Sequence, residues 1–467
     1  VLGLACQDQA SLARAVATDL AFSQASIQVW QVRVQAWGQA LAQEPERQPW
    51  QKSGMSRGGW GEKAGAWRKE TLRGRSLLAL IAIDKISLPP CVTLSPFRDL
   101  STMSLGQLLL TGVPGPELDS DTAARFKKLQ PGGFILFGRN IKSPEQLRKL
   151  IDDLRDISDI EPFITIDQEG GRVSRLRLIG EEPPNAQALR DKGDPELIKK
   201  HGKLTGQVLR LFGFNLDLCP VLDISYDDAA DNSLKGRCWG KDPQQVITNA
   251  GLFNRAMRKE GILSCAKHFP GYGPAECDPH EFLPVISKSR SEMEMSELMP
   301  YTALLPELDS VMTCHSNYTA YDPDRGRWPA SLSHNICTKL LRDQLGFEGL
   351  AMTDDLDMGA ILNEVTFEQA IQEAVRAGND LVMICHRIEM VELARQHLEG
   401  VEHPVLHDAL MRIEKTKKRL VKPDQFSLER FAAINRDIWD LRVATLGEEA
   451  AKNLSVEDGK RSPVELY

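Results

Sequence analysis

The stretch Ile262-Leu263-Ser264-Cys265-Ala266-Lys267-His268-Phe269-Pro270-Gly271-Tyr272-Gly273 changes character half-way along. Its first five residues read as a short strand of the kind covered on both faces. A basic pair follows, then a Pro/Gly turn that neither a helix nor a regular strand accommodates. Five residues on, Asp278-Pro279-His280 sets an acid two residues before a histidine. An Asp able to hold a His, on a segment with few packing residues, suits proton transfer from a loop. Whether this unit of strand, polar end and loop recurs decides the fold.

It recurs. Comparable runs are 106–112, 133–137, 163–166, 214–218, 262–266, 310–313, 350–353 and 380–384. Amphipathic stretches alternate with them at 143–157, 196–212, 243–260, 335–345 and 367–377, several opening on Ser-Pro or Asp-Pro, which are helix-start signals. Eight strand–helix repeats predict an α/β fold, a closed (β/α)8 TIM-type barrel rather than an open sheet. Further helices are expected at 388–398 and 405–419. The barrel domain is placed at 103–425 and a helical and polar tail at 426–467.

The first hundred residues differ. They hold five of the eight tryptophans (Trp30, Trp37, Trp50, Trp60, Trp67), little apolar periodicity beyond one helix around 12–42, and a Gly-, Lys- and Arg-rich stretch from 48 to 74 that reads as disordered. Residues 1–102 are therefore expected to be a poorly ordered extension or a gene-model artefact, with Met103 the main start. Val1–Cys6 resembles the end of a lipoprotein signal by chance, since no basic region or full apolar core precedes it.

The 467 residues, 42% hydrophobic and 26% charged, have an ordinary globular composition. A net charge of -8 gives no reason to expect a nucleic-acid partner, and no apolar run approaches a membrane span. Nine scattered cysteines without a Cys-x-x-Cys indicate a reducing, cytoplasmic setting, with neither a disulfide framework nor a zinc site.

In such a barrel the chemistry lies where strands end. There the sequence places Arg139-Asn140 after strand two, Asp167–Arg172 after strand three, Asp217 and Asp223 after strand four, Lys267-His268 after strand five, His315-Ser316-Asn317 after strand six and Asp354-Asp355 after strand seven. Any one of these could be a satisfied loop cap, but six at one rim point to a shared pocket. Carboxylates mixed with Arg, Lys and His suit a polyhydroxylated ligand, and a carboxylate at a strand end can attack an anomeric carbon. The histidines lack metal-ligand spacing, and no P-loop, Gly-x-Ser-x-Gly or dinucleotide fingerprint is present. Neither a metal nor a cofactor is expected.

Taken together, Asp167–Val173, Asn215–Asp223, Gly236-Arg237-Cys238-Trp239-Gly240, Lys267–Gly273 with Asp278-Pro279-His280, and Thr353–Met358 resemble glycoside hydrolase family 3, in its single-domain β-N-acetylglucosaminidase branch. The resemblance runs from about Met103 to the early 400s. It implies that Asp354 is the nucleophile, that His280 is the general acid/base supported by Asp278, and that Asp167, Arg175, Arg237, Lys267 and His268 hold the sugar. It implies retaining removal of terminal β-linked GlcNAc from peptidoglycan- or chitin-derived fragments. Asp355 and Asp357 are expected to be solvent-facing acids at a helix start. This chain departs from the family loop at Tyr272 and Pro274, where the pattern has His and Asp, at Pro279, and at Trp239, where it has Phe. The competing functions are a phosphorylase using phosphate in place of water, and a sugar-binding relative whose loop no longer delivers His280.

Overall fold

A computed structural model describes residues 104–229, 233–275, 278–279 and 281–453. The expectations for residues 1–102, for Met103 and for His280 lie outside these residues. Eight parallel strands close into a barrel in chain order: β1 Leu109–Gly112, β2 Gly133–Leu136, β3 Phe163–Ile166, β4 Leu216–Asp217, β5 Leu263–Phe269, β6 Ser310–Thr313, β7 Leu350–Asp355 and β8 Leu381–Ile384. Leu109 opposite Val382 closes the ring. All eight fall at the expected runs.

The principal helix after each strand is α1 Ser120–Leu129, α2 Pro144–Asp156, α3 Pro195–Phe212, α4 Pro243–Lys259, α5 Leu298–Leu304, α6 Asn335–Gln344, α7 Phe367–Ala377 and α8 Val391–Leu398, with shorter helices at Ala186–Lys192, Arg290–Glu294 and Gly359–Leu362. Their ends are written in the sequence. Ser143 and Gln146 form a capping box at α2, as Thr366 and Gln369 do at α7, while Asp194 and Asp242 cap α3 and α4 ahead of a proline. On α2 the residues at helical spacing, Leu147, Leu150, Ile151 and Leu154, are the buried ones, so one stripe faces the barrel. Beyond the barrel units lie α9 His403–Lys417 and α10 Leu428–Leu446, followed by a short helix at Glu448–Ala451. On α10, Phe431 packs edge-on to Phe212 of α3 with ring centroids 5.1 Å apart. Arg442 is buried and donates to the Glu182 carboxylate at 2.8 Å.

Three differences from the expected elements have structural accounts. The first strand begins at Leu109 because 105–108 form a 3-10 turn in which Gly106 lies against the Leu129 carbonyl, leaving no room for a side chain. Strand β5 runs on to Phe269, so Lys267 and His268 sit on the strand itself, and its pairing with β6 shifts register there. Helix α6 is π-wound, ending with Leu345 N donating to Leu340 O at 2.9 Å. No helix among the described residues is long and apolar enough to cross a membrane.

Candidate active site

Beyond β3 the chain turns back in a small hairpin, Gln168–Gly170 against Val173–Ser174. Its corner needs Gly170 and Gly171, both at positive φ, and a side chain on Gly170 would meet the Pro184 carbonyl at 2.5 Å. The glycine pair therefore builds a tight turn. The hairpin sends Asp167 and Glu169 to the same place, as alternate residues of an extended segment do. There Lys267 Nζ sits 2.7 Å from Asp167 Oδ1 and 2.7 Å from Glu169 Oε1. Arg237 grips Glu169 with two parallel bonds, Nε to Oε2 and Nη2 to Oε1, both 2.8 Å. Arg175 reaches Asp167 at 3.6 Å.

The charges hold one another. Burial alone would raise the Glu169 carboxyl, but Arg237 and Lys267 outweigh it and keep it below the usual carboxylate range. Burial likewise opposes the Lys267 ammonium, and Asp167 and Glu169 overcome it and push its pKa up. Asp217, at the end of β4, lacks such support. Its Oδ1 accepts from Gln168 N at 3.1 Å, its Oδ2 has no partner, and burial pushes its pKa up to about 7.

A second buried carboxylate sets the neighbouring imidazole. Asp223 Oδ2 accepts from His268 Nδ1 at 2.7 Å and from the His268 amide at 3.1 Å, and its Oδ1 accepts from the Tyr272 amide at 2.8 Å. With Nδ1 donating, His268 Nε2 is left as an acceptor 3.4 Å from Arg237 Nη2. Tyr272 is buried, its ring tilted against His268 with centroids 4.8 Å apart. Trp239, the bulkier aromatic, is a packing residue, 5.3 Å from the ring of Phe253.

Across the mouth stands Asp354, partly exposed, its Oδ1 accepting from the Asp355 amide at 2.8 Å. Asp355 and Asp357 are not the solvent-facing acids expected. Asp355 is buried, and its Oδ1 accepts from the amides of Cys385 (3.1 Å) and Asp357 (3.0 Å). Asp357 accepts from the amides of His386 and Arg387 at 3.0 Å each and from Arg387 Nε at 2.7 Å. These carboxylates tie the end of β7 to the loop after β8, because that loop offers several amides with no strand partner.

Asp167, Arg175, Arg237, Lys267, His268 and Asp354 all line one pocket open to solvent, together with Tyr272 and Pro279. Asp278 does not line it. Its carbonyl accepts from the amides of Glu281 and Phe282 at 3.2 Å, closing a turn, and its charge reaches Tyr272. His280, between them, is outside the described residues. Glu169 and His386 belong to this site and were not singled out from the sequence; Asp223, read there as a polar strand-end residue, is the partner of His268. Glu169 and Asp223 lay within quoted motifs, and His386 follows β8, the strand whose end was not read.

Asp355, Cys385 and His386 put one ligand-type atom each within 4.8 Å of one another. The trio does not fit a cation as arranged. Arg139 Nη1 can only donate to His386 Nδ1, at 3.0 Å, so the ring hydrogen lies on Nε2, facing Asp355 Oδ2 at 3.3 Å. Burial, with Asp355 nearby, also pushes the Cys385 thiol well up, away from the thiolate a metal needs. The group is a hydrogen-bonded brace.

Residues 102–416 match the glycosyl hydrolase family 3 N-terminal domain. The chain belongs to this family. It is accordingly a glycoside hydrolase. A β-hexosaminidase from Photobacterium profundum is 34% identical over 322 residues, which are 68% of this chain and 93% of that protein. The family 3 β-N-acetylglucosaminidase from Paenibacillus sp. str. FPU-7 superposes with a TM-score of 0.66 at 30% identity, over 73% of this chain and 68% of that one. Native NagZ from Neisseria gonorrhoeae gives 0.61 at 26% identity, over 71% of this chain and 97% of its own. These relatives fall in the branch that the motifs indicate.

Proposed function

We propose that this family 3 hydrolase is a retaining exo-β-N-acetylglucosaminidase, removing terminal β-linked GlcNAc from peptidoglycan- or chitin-derived fragments. The observation that carries the reading is the convergence of Asp354 with Asp167, Arg175, Arg237, Lys267 and His268 on one pocket. Asp167 and Lys267 offer an acceptor and a donor to adjacent sugar hydroxyls, and His268 Nε2 offers a further acceptor. Asp354 attacks the anomeric carbon while His280, protonated and supported by Asp278, gives its proton to the leaving oxygen. Neutral His280 then takes a proton from water, which releases the sugar with its configuration retained. An imidazole suits both steps because it titrates near neutrality. A cytoplasmic setting accords with the buried free thiols of Cys219, Cys238, Cys265, Cys314, Cys337 and Cys385.

Two measurements test this. Aryl β-GlcNAc should be hydrolysed far better than aryl β-glucoside, at a rate indifferent to added phosphate. A sugar 1-phosphate product would replace the hydrolase reading with the phosphorylase one. The His280→Ala variant should keep sugar affinity but lose about 10²–10⁴-fold in turnover of a natural disaccharide. Activated aryl leaving groups should suffer less at the glycosylation step, and unchanged disaccharide turnover would remove His280 from the mechanism.

A further inference from the structure

Tyr272 occupies a junction that the proposed mechanism does not use. Its hydroxyl lies 2.9 Å from Ser233 Oγ, and both residues are buried. Ser233 belongs to the segment between β4 and α4 that carries Arg237, and it adopts a left-handed backbone (φ 65°) that a serine seldom takes. Its carbonyl accepts from Arg237 Nη1 at 3.0 Å and from Arg172 Nη2 at 2.8 Å. On the other side, the Tyr272 amide shares Asp223 with His268, and the Tyr272 ring packs at a tilt against that imidazole. One residue thus joins the two sugar-facing groups that come from different elements, Arg237 after β4 and His268 on β5.

We infer that Tyr272 is a positioning residue for sugar binding, its hydroxyl latching Ser233 so that Arg237 and His268 meet the sugar as one preformed unit. This rests on the reading that His268 and Arg237 hold the sugar. Without the latch the segment carrying Arg237 must be ordered against β5 by the substrate, and that cost appears in binding rather than in the bond-breaking step. A phenylalanine at 272 keeps the ring against His268 and removes only the latch.

The test is a double-mutant cycle on the full chain with Tyr272→Phe, Ser233→Ala and both, reading KM and kcat for an aryl β-GlcNAc substrate, alongside His268→Ala. Each single variant should raise KM roughly three- to tenfold, the range of one buried hydrogen bond, with kcat changed less than twofold. The double variant should be no worse than either single one, because the two hydroxyls act together. Melting temperatures separate loss of fold from loss of latch. If Tyr272→Phe lowers the melting temperature with KM unchanged, or if the two KM effects multiply, the inference is overturned. If His268→Ala raises KM while Tyr272→Phe does not, only the latch fails; if His268→Ala leaves KM unchanged, the sugar-binding reading beneath it fails as well.

Discussion

Asp217 sits close enough to Lys267, Asp167 and Glu169 to feel their charges, yet one of its oxygens is buried without a partner. A carboxyl whose pKa is about 7 in the folded protein and near 3.8 when exposed binds a proton more readily folded than unfolded. Its contribution to stability is therefore present below pH 4 and lost as pH rises towards 7. Replacing it by asparagine, which keeps an acceptor for Gln168 N, should remove that loss. The stability of Asp217→Asn relative to the parent should climb by roughly 1.4 kcal/mol per pH unit between about pH 4 and 7 and then level off. Denaturant unfolding at several pH values checks this, and a difference that stays flat across the interval would contradict it. His201, which burial pushes down to about 4, titrates in both proteins and cancels in the comparison. At this scale the sequence was only partly legible. Asp167, Lys267 and Asp354 could be placed because each follows the apolar run of a recurring unit. The long-range partners of Glu169 (Arg237, Lys267) and of Asp223 (His268) are recorded by no local pattern, although Asp223 itself could be placed at a strand end. For Asp355 and Asp357 the local helix-start reading lost to the unpaired amides of the loop after β8.

Among the elements, the strand positions were legible because each is a short apolar run bounded by polar caps and turns, and helix starts were legible from Ser143, Asp194, Asp242 and Thr366. Strand ends were less so. The basic pair on β5 reads as a departure from the strand, but barrel pairing carries the backbone through it to Phe269. A helical tail was legible at 426–467, but the packing of α10 was not, since its apolar residues gain meaning only against Phe212 of α3. That contact predicts a separation of stability from activity. Phe431→Ala should cost about 3–5 kcal/mol in denaturant unfolding. KM and kcat on the folded variant should be unchanged, since α10 contributes no residue to the pocket. A loss of activity without a loss of stability would place α10 in the catalytic machinery instead.

For the molecule as a whole, closure of the barrel does what no single element can. It brings β3, β5 and β7, distant in the chain, to one mouth, with a cationic and carboxylate grip on one side and Asp354 on the other. Within that arrangement Tyr272 and His386 connect neighbouring segments of the rim, Tyr272 to Ser233 and His386 to Arg139. The central claim is that Asp354 forms the glycosyl-enzyme. Incubating the full chain with a slow fluorinated β-GlcNAc glycoside, then mapping the labelled peptide by mass spectrometry, tests it directly. One sugar per chain should appear on Asp354, with no labelling of an Asp354→Asn variant and a β-configured first product in uninhibited turnover. A label on Asp355 or Asp167, or an α-configured first product without any label, would contradict it.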